Sequence, residues 1–328
     1  MSAGPNQGPS RPVEPAGFGP ATPRVAHPHL ARIDLRAGLL LVVLCACWGF
    51  QQVVIKLAAR HGLPTLTQAG LRSVLATLVL VLWVRWRHGS ARWLFAVDAV
   101  LAPGAVMGLI FAGEFVLMYW GLQYTTASRG VLFLYTAPFF VALGVQVLVP
   151  AERLDARQAV GLLCAFIGVG VALRQGLGAG GTILGDLMLT GAAALWGALT
   201  LMAKVNRRLS ATPPVRVLFL QLAGSAPILL AVAAVRGGFA AARPDALAWA
   251  ALGYQSVLVA FITYLAWYWL ILHYPATRVS AFSFLTPLFG MLSGAAVLGE
   301  PVSIAFLLAL SLVGAGLYLV NGRTREQA

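Results

Sequence analysis

Charged side chains are scarce in this sequence of 328 residues. Asp, Glu, Lys and Arg make up only 10% of it, whereas 59% of the residues are hydrophobic and the mean hydropathy is +0.83. A water-soluble protein of this length could not cover its surface with so few charges, so the composition excludes an ordinary soluble domain. It indicates an integral membrane protein in contact with the lipid bilayer.

Cysteine and the motifs of metal or cofactor sites are also rare or missing. The three cysteines, Cys45, Cys47 and Cys164, lie in apolar runs, where a cysteine behaves as a small core residue. There is no CxxC, no His/Cys cluster, no HExxH, no GxSxG and no P-loop. We therefore expect no metal, no cofactor and no catalytic residue, and we expect that the chain is not an enzyme.

Apolar runs long enough to cross a membrane are abundant. The hydrocarbon core of a bilayer is about 30 Å thick and needs roughly 20 apolar residues of helix. Ten runs of this kind predict an all-α membrane protein with ten transmembrane helices. They cover about 37–58, 65–84, 98–122, 130–149, 157–174, 184–204, 214–235, 247–271, 279–298 and 303–320.

The sequence also contains one pattern twice, at an offset close to 148 residues. The matched residues are Trp48-Gly49 with Lys56, Arg129 and Pro138 in the first half, and Trp196-Gly197 with Lys204, Arg278 and Pro287 in the second. Each half holds five runs, and because five is odd, the second half must enter the membrane from the opposite side. The pattern predicts two inverted five-helix repeats, 36–176 and 180–322, with a shared cavity between them.

The positive charges are distributed unevenly between the two sides of the membrane. Cytoplasmic loops are enriched in Lys and Arg, which predicts both termini inside. Residues 1–35 are rich in Pro, Gly and Ala and are expected to form a disordered cytoplasmic tail. The localisation we expect is the bacterial inner membrane. The inner side would carry Arg11, Arg24, Arg32, Arg36, Arg85, Arg87, Arg92, Arg153, Arg157, Arg207, Arg208, Arg216, Arg278, Arg323 and Arg325. The outer side would carry only Arg60, Arg129, Arg174, Arg236 and Arg243.

Together these residues resemble the drug/metabolite transporter superfamily, in its EamA-like branch, over roughly residues 37–320. The motifs that carry the resemblance are the two Trp-Gly and lysine segments, Glu152-Arg153-Leu154, Gly299-Glu300, Gly185-Asp186 and Tyr124-Thr125-Thr126-Ala127-Ser128. The resemblance implies a ten-helix permease that usually exports small metabolites, amino acids or drugs, often in exchange for protons. Arg129, Arg278 and Glu114 depart from the family's usual pattern.

Two matched helix faces predict a lining for the transport path. In the first run Trp48, Gln52 and Lys56 are four residues apart, so their side chains share one face. The sixth run repeats this face as Trp196, Thr200 and Lys204. Alternatively, the tryptophans belong to interfacial belts and the two lysines extend to the lipid headgroups.

Two opposite charges fall well inside the second and third runs. Arg72 and Glu114 would both lie roughly 10–12 Å below the outer surface, at 1.5 Å of helix per residue. A lone charge at that depth is unfavourable, so one hypothesis is a structural ion pair. The other is functional: Glu114 takes up a proton and Arg72 binds an anionic group. Thr263 corresponds to Glu114 in the second repeat, so the two halves differ chemically.

Aromatic residues and prolines complete the candidate site. Tyr119, Tyr264 and Trp267 could stack a ligand, although interfacial belts explain many such residues. Pro138 and Pro287 interrupt matched helices and could act in gating.

The sequence thus predicts a secondary active transporter of a small organic solute that works by alternating access. The family resemblance implies that it exports this solute in exchange for protons. It predicts no nucleic-acid partner and leaves monomer and homodimer open. The alternative is a membrane-embedded enzyme or lipid-handling protein without transport.

Overall fold

The computed structural model describes residues 33–125, 127–177, 182–298 and 304–322. Most of the predicted tail, residues 1–35, lies outside these ranges, and so do Thr126 and Glu300. The described residues contain helices and turns but no strand. This confirms the prediction of an all-α protein.

Ten helices in the described ranges are long and apolar enough to span a membrane, as predicted. We number them as spans in chain order. They are Leu35–Arg60, Thr65–His88, Leu101–Gly121, Arg129–Leu148, Ala156–Arg174, Ile183–Val205, Pro214–Val235, Ala246–His273, Ala276–Val297 and Ile304–Asn321.

Short polar residues and prolines set the helix starts. The side chain of Asp34 accepts a hydrogen bond from Ala37 N (2.7 Å) at the start of span 1, and Asp245 accepts one from Ala248 N (2.9 Å) at the start of span 8. Each bond satisfies a backbone N–H that the helix itself leaves unpaired. Spans 2 and 7 both begin directly after a proline, Pro64 and Pro213. These matched starts align the two spans at an offset of 149 residues.

The packing of the spans follows the internal repeat. Span 1 packs against span 9, and its counterpart, span 6, packs against span 4. Spans 2 and 7 pack against each other, as do spans 5 and 10. Each of these pairs joins one half to the other, so the cavity described below is bounded by both halves. This arrangement is that of two related five-helix units facing each other.

Glycines permit the closest of these approaches. A Cβ atom on Gly49 would lie 2.6 Å from Gly290 N in span 9, and one on Gly197 would lie 2.8 Å from Phe140 Cβ in span 4. In each half, therefore, the tryptophan of the Trp-Gly motif borders the cavity, and the glycine allows a neighbouring helix to pack closely. Spans 5 and 10 meet in the same way at Gly161, where a Cβ atom would lie 2.7 Å from Gly316 O.

Spans 4, 8 and 9 are not continuous α-helices. Span 4 is divided into Ala127–Leu134 and Ala137–Leu148, with Pro138 in the first turn of the second segment. In span 9 a 3₁₀ turn, Phe282–Phe284, precedes the segment that contains Pro287. Span 8 contains a π-helical stretch, Tyr254–Thr263. The matched breaks in spans 4 and 9 face the interior, where irregular backbone can be tolerated in a membrane protein.

Candidate functional site

A cavity of about 620 Å³ lies between the two halves. This volume is within the range typical of small-molecule sites. Many of its lining residues were predicted from the sequence. They are Trp48, Gln52, Lys56, Arg72, Glu114, Tyr119, Trp196, Thr200, Tyr264, Trp267 and Pro287.

The cavity extends toward one face of the protein. We call the side on which span 1 begins the N-terminal face and the opposite side the cavity face. The lining includes Lys56 near the end of span 1, Thr65 at the start of span 2, and Gln123 and Arg236 just after spans 3 and 7. All four positions belong to the cavity face. No described residue at the span ends of the N-terminal face contributes to the lining.

Aromatic rings pack around Trp48 on the cavity wall. The ring centroids of Trp267, Tyr264 and Trp196 lie 5.2, 6.2 and 6.4 Å from that of Trp48, all with edge-to-face geometry. The indole N–H of Trp48 donates a hydrogen bond of 2.8 Å to Thr263 Oγ1. Thr263 therefore fixes the orientation of the Trp48 indole by a hydrogen bond, and it does not itself line the cavity.

The two buried charges of the first half, Arg72 and Glu114, both line the cavity. The Arg72 side chain is only 1% exposed, and its guanidinium carbon lies 4.4 Å from the ring centroid of Phe115. Among the described residues, the guanidinium and the Glu114 carboxylate do not come within ion-pair distance of each other, and neither group has an ion-pair partner. The structure thus brings them to one cavity without joining them directly.

The matching positions of the second half hold neutral residues. At the offset of 149 residues, Arg72 corresponds to Gln221 and Glu114 to Thr263. Gln221 accepts a hydrogen bond from the hydroxyl of Tyr268, and Thr263 bonds both Trp48 and the Val259 carbonyl (2.7 Å). At these two positions the second half therefore has neutral side chains that are hydrogen-bonded within the protein.

A polar cluster closes the N-terminal face. Lys204 Nζ lies 2.5 Å from Glu152 Oε1 and donates a hydrogen bond of 2.6 Å to the Tyr274 carbonyl. The Tyr274 hydroxyl bonds Asp34 Oδ2 (3.2 Å), and Glu152 Oε2 accepts from Ala276 N (2.9 Å). These contacts connect the two halves. We refer to Asp34, Glu152, Lys204, Tyr274 and Ala276 as the N-terminal-face cluster.

Different contacts join the halves at the cavity face. Arg129 forms an ion pair with Asp186, and Thr125 Oγ1 donates a 3.0 Å hydrogen bond to the same carboxylate. These residues tie the start of span 4 to the start of span 6. His61 Nδ1 lies 2.6 Å from Asp245 Oδ2, which ties the end of span 1 to the start of span 8.

Some sequence-predicted residues lie elsewhere. Lys204 belongs to the N-terminal-face cluster, outside the cavity, although Trp196 and Thr200 on the same helix line it. Pro138 lies behind the cavity wall, near Trp196 and Trp267. Sequence reasoning did not single out Gln221, Tyr274 or Asp34. Tyr119-Trp120 recurs as Tyr268-Trp269 at an offset of 149 residues. The same offset from Arg72 leads to Gln221, so this repeat could have identified Gln221 as the equivalent position in the second half.

Two carboxylates outside the spans have perturbed acidity. A hydrogen bond from Arg216 (2.6 Å) lowers the pKa of Asp98, in the loop before span 3. The hydrogen bond from Ala248 N, with a further one from His61, lowers the pKa of Asp245. Both carboxylates lie at the membrane surface, away from the cavity, and serve to anchor loops and helix starts.

Comparison with known proteins identifies relatives along nearly the whole chain. An uncharacterized transporter of Archaeoglobus fulgidus is 27% identical over 90% of this chain and 100% of its own length. Probable amino-acid metabolite efflux pumps of Salmonella typhimurium and Escherichia coli are 27% and 28% identical, each over 86% of this chain and 93% of their own.

One solved structure, described only as a crystal structure of a protein, superimposes with a TM-score of 0.72. It is 18% identical and covers 87% of this chain and 96% of its own, so it supports the fold. The family model of the EamA-like transporters matches twice, at residues 35–174 and 183–322. The relatives are named as transporters or efflux pumps rather than enzymes. The chain is therefore an integral membrane protein of the EamA-like transporter family, within the drug/metabolite transporter superfamily.

Proposed function

We propose that this protein is a secondary active exporter of a small organic solute, located in the bacterial inner membrane with both termini in the cytoplasm. The observation that carries the proposal is a cavity bounded by both halves that extends toward one face, while a cluster of cross-half contacts closes the other. The names of the efflux pumps from Salmonella typhimurium and Escherichia coli support the outward direction.

Alternating access requires the closed face to open. Opening the N-terminal face means separating Lys204 in the second half from Glu152 in the first, and Tyr274 from Asp34. The contacts that join spans 4 and 6 at the cavity face, Arg129 with Asp186, can stay intact while the opposite ends of the helices move apart. A rocking movement of the two halves about the central cavity satisfies both conditions.

Proton exchange is assigned to Glu114. Its carboxylate is buried in the cavity and has no ion-pair or hydrogen-bond partner among the described residues, so the protein does not fix it in one protonation state through a direct contact. A group of this kind can bind a proton and the solute in alternation. Pro138 and Pro287 lie at the matched breaks of spans 4 and 9 and would serve as the flexible points of gating.

Solute counterflow tests the proposed function. Purified protein is reconstituted into proteoliposomes loaded with a mixture of unlabelled amino acids, organic acids and amines, and uptake of each labelled compound is followed. We expect protein-dependent counterflow of at least one compound, accelerated by an imposed pH gradient. Leakage equal to that of protein-free liposomes for every compound would contradict the proposal and favour a non-transporting membrane protein.

The orientation is tested separately, with two matched substitutions in a variant whose three cysteines are replaced by serine. Arg60 and Arg207 are both exposed and lie at opposite faces. Arg60→Cys should react with an impermeant thiol reagent in intact cells, and Arg207→Cys should react only after the membrane is permeabilised. The reverse labelling pattern would place the termini outside.

A further inference from the structure

Three unpaired arginines lie at the end of span 2 and in the connector that follows it, on the N-terminal face. Arg85, Arg87 and Arg92 are all exposed, and among the described residues none of their guanidinium groups has an ion-pair or hydrogen-bond partner. Asp98, the nearest acidic residue along the chain, is bonded to Arg216 instead (2.6 Å). The surface here therefore carries three positive charges that the described part of the protein does not neutralise.

The backbone keeps these three arginines close together. Gly89 ends span 2 with a φ of +71°, in the left-handed region that commonly terminates a helix and redirects the chain. Arg85 and Arg87 belong to the last turn before this glycine. Three residues beyond Gly89 the chain reaches Arg92, which can be at most about 11 Å away even if the backbone is fully extended. The three side chains thus extend from one short stretch of surface.

Large apolar side chains are exposed beside these charges. Trp86 is 80% exposed, Phe95 60% and Val97 87%. At the end of a membrane span such side chains lie in the interfacial layer of the bilayer, where tryptophan is enriched. Segment 85–97 therefore presents cations and apolar groups side by side, which is the arrangement that complements a phospholipid, with its charged headgroup above its acyl chains.

The second half holds this connector in place. Arg216 of span 7 donates hydrogen bonds to Asp98 Oδ2 (2.6 Å) and to the Ala96 carbonyl (2.9 Å). The ring centroid of Phe95 lies 4.8 Å from that of Phe219, also in span 7. Because these contacts fix the backbone of the connector, a ligand can bind to its arginines without first ordering the chain.

The connector between spans 7 and 8 is the equivalent segment of the second half, and its arginines are satisfied within the protein. Arg236 donates a hydrogen bond of 3.1 Å to Gln123 Oε1. Arg243 donates to the carbonyls of Ala240 (3.1 Å) and Ala242 (2.7 Å). The fold thus permits arginines after this span to be bonded internally. The free guanidinium groups are a property of the first connector alone among these two.

We infer that segment 85–97 binds an anionic phospholipid, with the headgroup phosphate on Arg85, Arg87 and Arg92 and the acyl chains against Trp86 and Phe95. Guanidinium groups bind phosphate oxygens through paired hydrogen bonds, and basic clusters at the end of a membrane span attract anionic headgroups. Free phosphate would neutralise the arginines but would not cover the apolar side chains. A zwitterionic phospholipid would cover them but would add an ammonium group to a surface that is already positive. This inference does not depend on which solute is transported.

Short-chain lipids test the inference by thermal stabilisation of the purified full-length protein in an uncharged detergent. The probes are dioctanoyl-phosphatidylglycerol, dioctanoyl-phosphatidylethanolamine and inorganic phosphate. We expect the anionic lipid to bind about tenfold or more tightly than the zwitterionic one, since each arginine near the membrane surface contributes about fivefold. Raising the salt concentration should weaken this preference. Equal binding of the two lipids, or equal stabilisation by phosphate alone, would overturn the inference.

Matched double variants locate the charges. Arg85→Gln combined with Arg87→Gln should remove most of the preference for the anionic lipid, about fivefold for each arginine. Arg60→Gln combined with Arg174→Gln removes two exposed arginines from the opposite face and should leave the preference unchanged. The melting temperature of each variant without lipid reports on folding. An equal loss of preference in both double variants would attribute it to net charge and contradict a site at segment 85–97.

The apolar part of the site is tested by Trp86→Ala combined with Phe95→Ala. This variant should bind both lipids more weakly and retain the preference for the anionic one, because the arginines remain. Unchanged binding of both lipids would contradict the placement of the acyl chains against this segment.

Discussion

The two halves of the protein share their packing but differ in their chemistry. Gly49 and Gly197 admit a neighbouring helix at equivalent places, and Trp48 and Trp196 border the same cavity. Among the described residues that line the cavity, the two charges well inside the spans, Arg72 and Glu114, both belong to the first half. A duplicated fold requires both copies to keep the residues that hold the helices together. The solute site, by contrast, is a single space shared by both copies, so one set of charged groups is sufficient.

The N-terminal-face cluster gives the largest expected effect on function. Lys204→Glu places a second carboxylate beside Glu152, at a site where both side chains are 14% exposed. We expect counterflow to fall by about tenfold or more, since an unpaired or repelled buried charge costs several kcal/mol.

Exchanging the two charges provides the control. Combining Lys204→Glu with Glu152→Lys restores an ion pair and should recover most of the counterflow. Arg207→Glu changes an exposed cation close by in sequence and should have little effect. A Lys204→Glu protein that transports at the normal rate would show that this contact does not control access.

Glycine substitutions test whether neighbouring helices pack equally closely in both halves. A Cβ atom on Gly49 would meet the backbone of span 9 at 2.6–2.8 Å, whereas on Gly197 the nearest atom is a side-chain carbon at 2.8 Å. Overpacking typically costs about 1–3 kcal/mol, and backbone yields less readily than a side chain. Gly49→Ala should therefore lower the melting temperature more than Gly197→Ala.

Gly314 is the matched control for the glycine series, because a Cβ atom there would have no neighbour within 4 Å. Gly314→Ala in span 10 should leave the melting temperature nearly unchanged or raise it slightly, as Ala favours a helix over Gly. A decrease as large as that of Gly49→Ala would show that close packing is not the cause.

The smallest expected effect concerns a loop. Arg216 is buried and donates hydrogen bonds to Asp98 (2.6 Å) and to the Ala96 carbonyl (2.9 Å). Because Arg216 lowers the pKa of Asp98, the stabilisation is present above the ordinary pKa of aspartate and is lost as the pH falls through the lowered value. Asp98→Asn should lower the melting temperature modestly at pH 7. The difference from the unmodified protein should shrink in acid. A difference that is independent of pH would exclude the ion pair as its source.

Much of the fold could be predicted from the sequence. The ten spans follow from apolar runs of membrane length, and the inverted halves follow from the matched Trp48-Gly49 and Trp196-Gly197 segments with five spans each. The predictions were less complete where side-chain distances matter. Arg72 and Glu114 lie at similar depth, which left a direct ion pair as one of two hypotheses, because depth does not specify how two helices are rotated toward each other.

Lys204 illustrates the same limit. Its spacing from Trp196 and Thr200 placed it on one helix face with them, yet the cavity ends before that turn is reached. Its contact with Glu152 crosses between the halves and depends on how closely span 6 approaches the end of span 4. Helical periodicity describes one helix at a time and contains no information about that approach.

The most direct test of the difference between the halves uses the matched pair Glu114→Gln and Thr263→Val. Solute flux driven by an imposed pH gradient is measured in proteoliposomes, with counterflow at equal pH and melting temperature measured beside it. We predict that Glu114→Gln abolishes the response to the pH gradient while the protein remains folded. Thr263→Val, which removes the hydrogen bond from Trp48 and the one to the Val259 carbonyl but no charge, should keep that response even if its flux is reduced. A stable Glu114→Gln protein with full pH-driven flux would contradict the assignment of coupling to the first half.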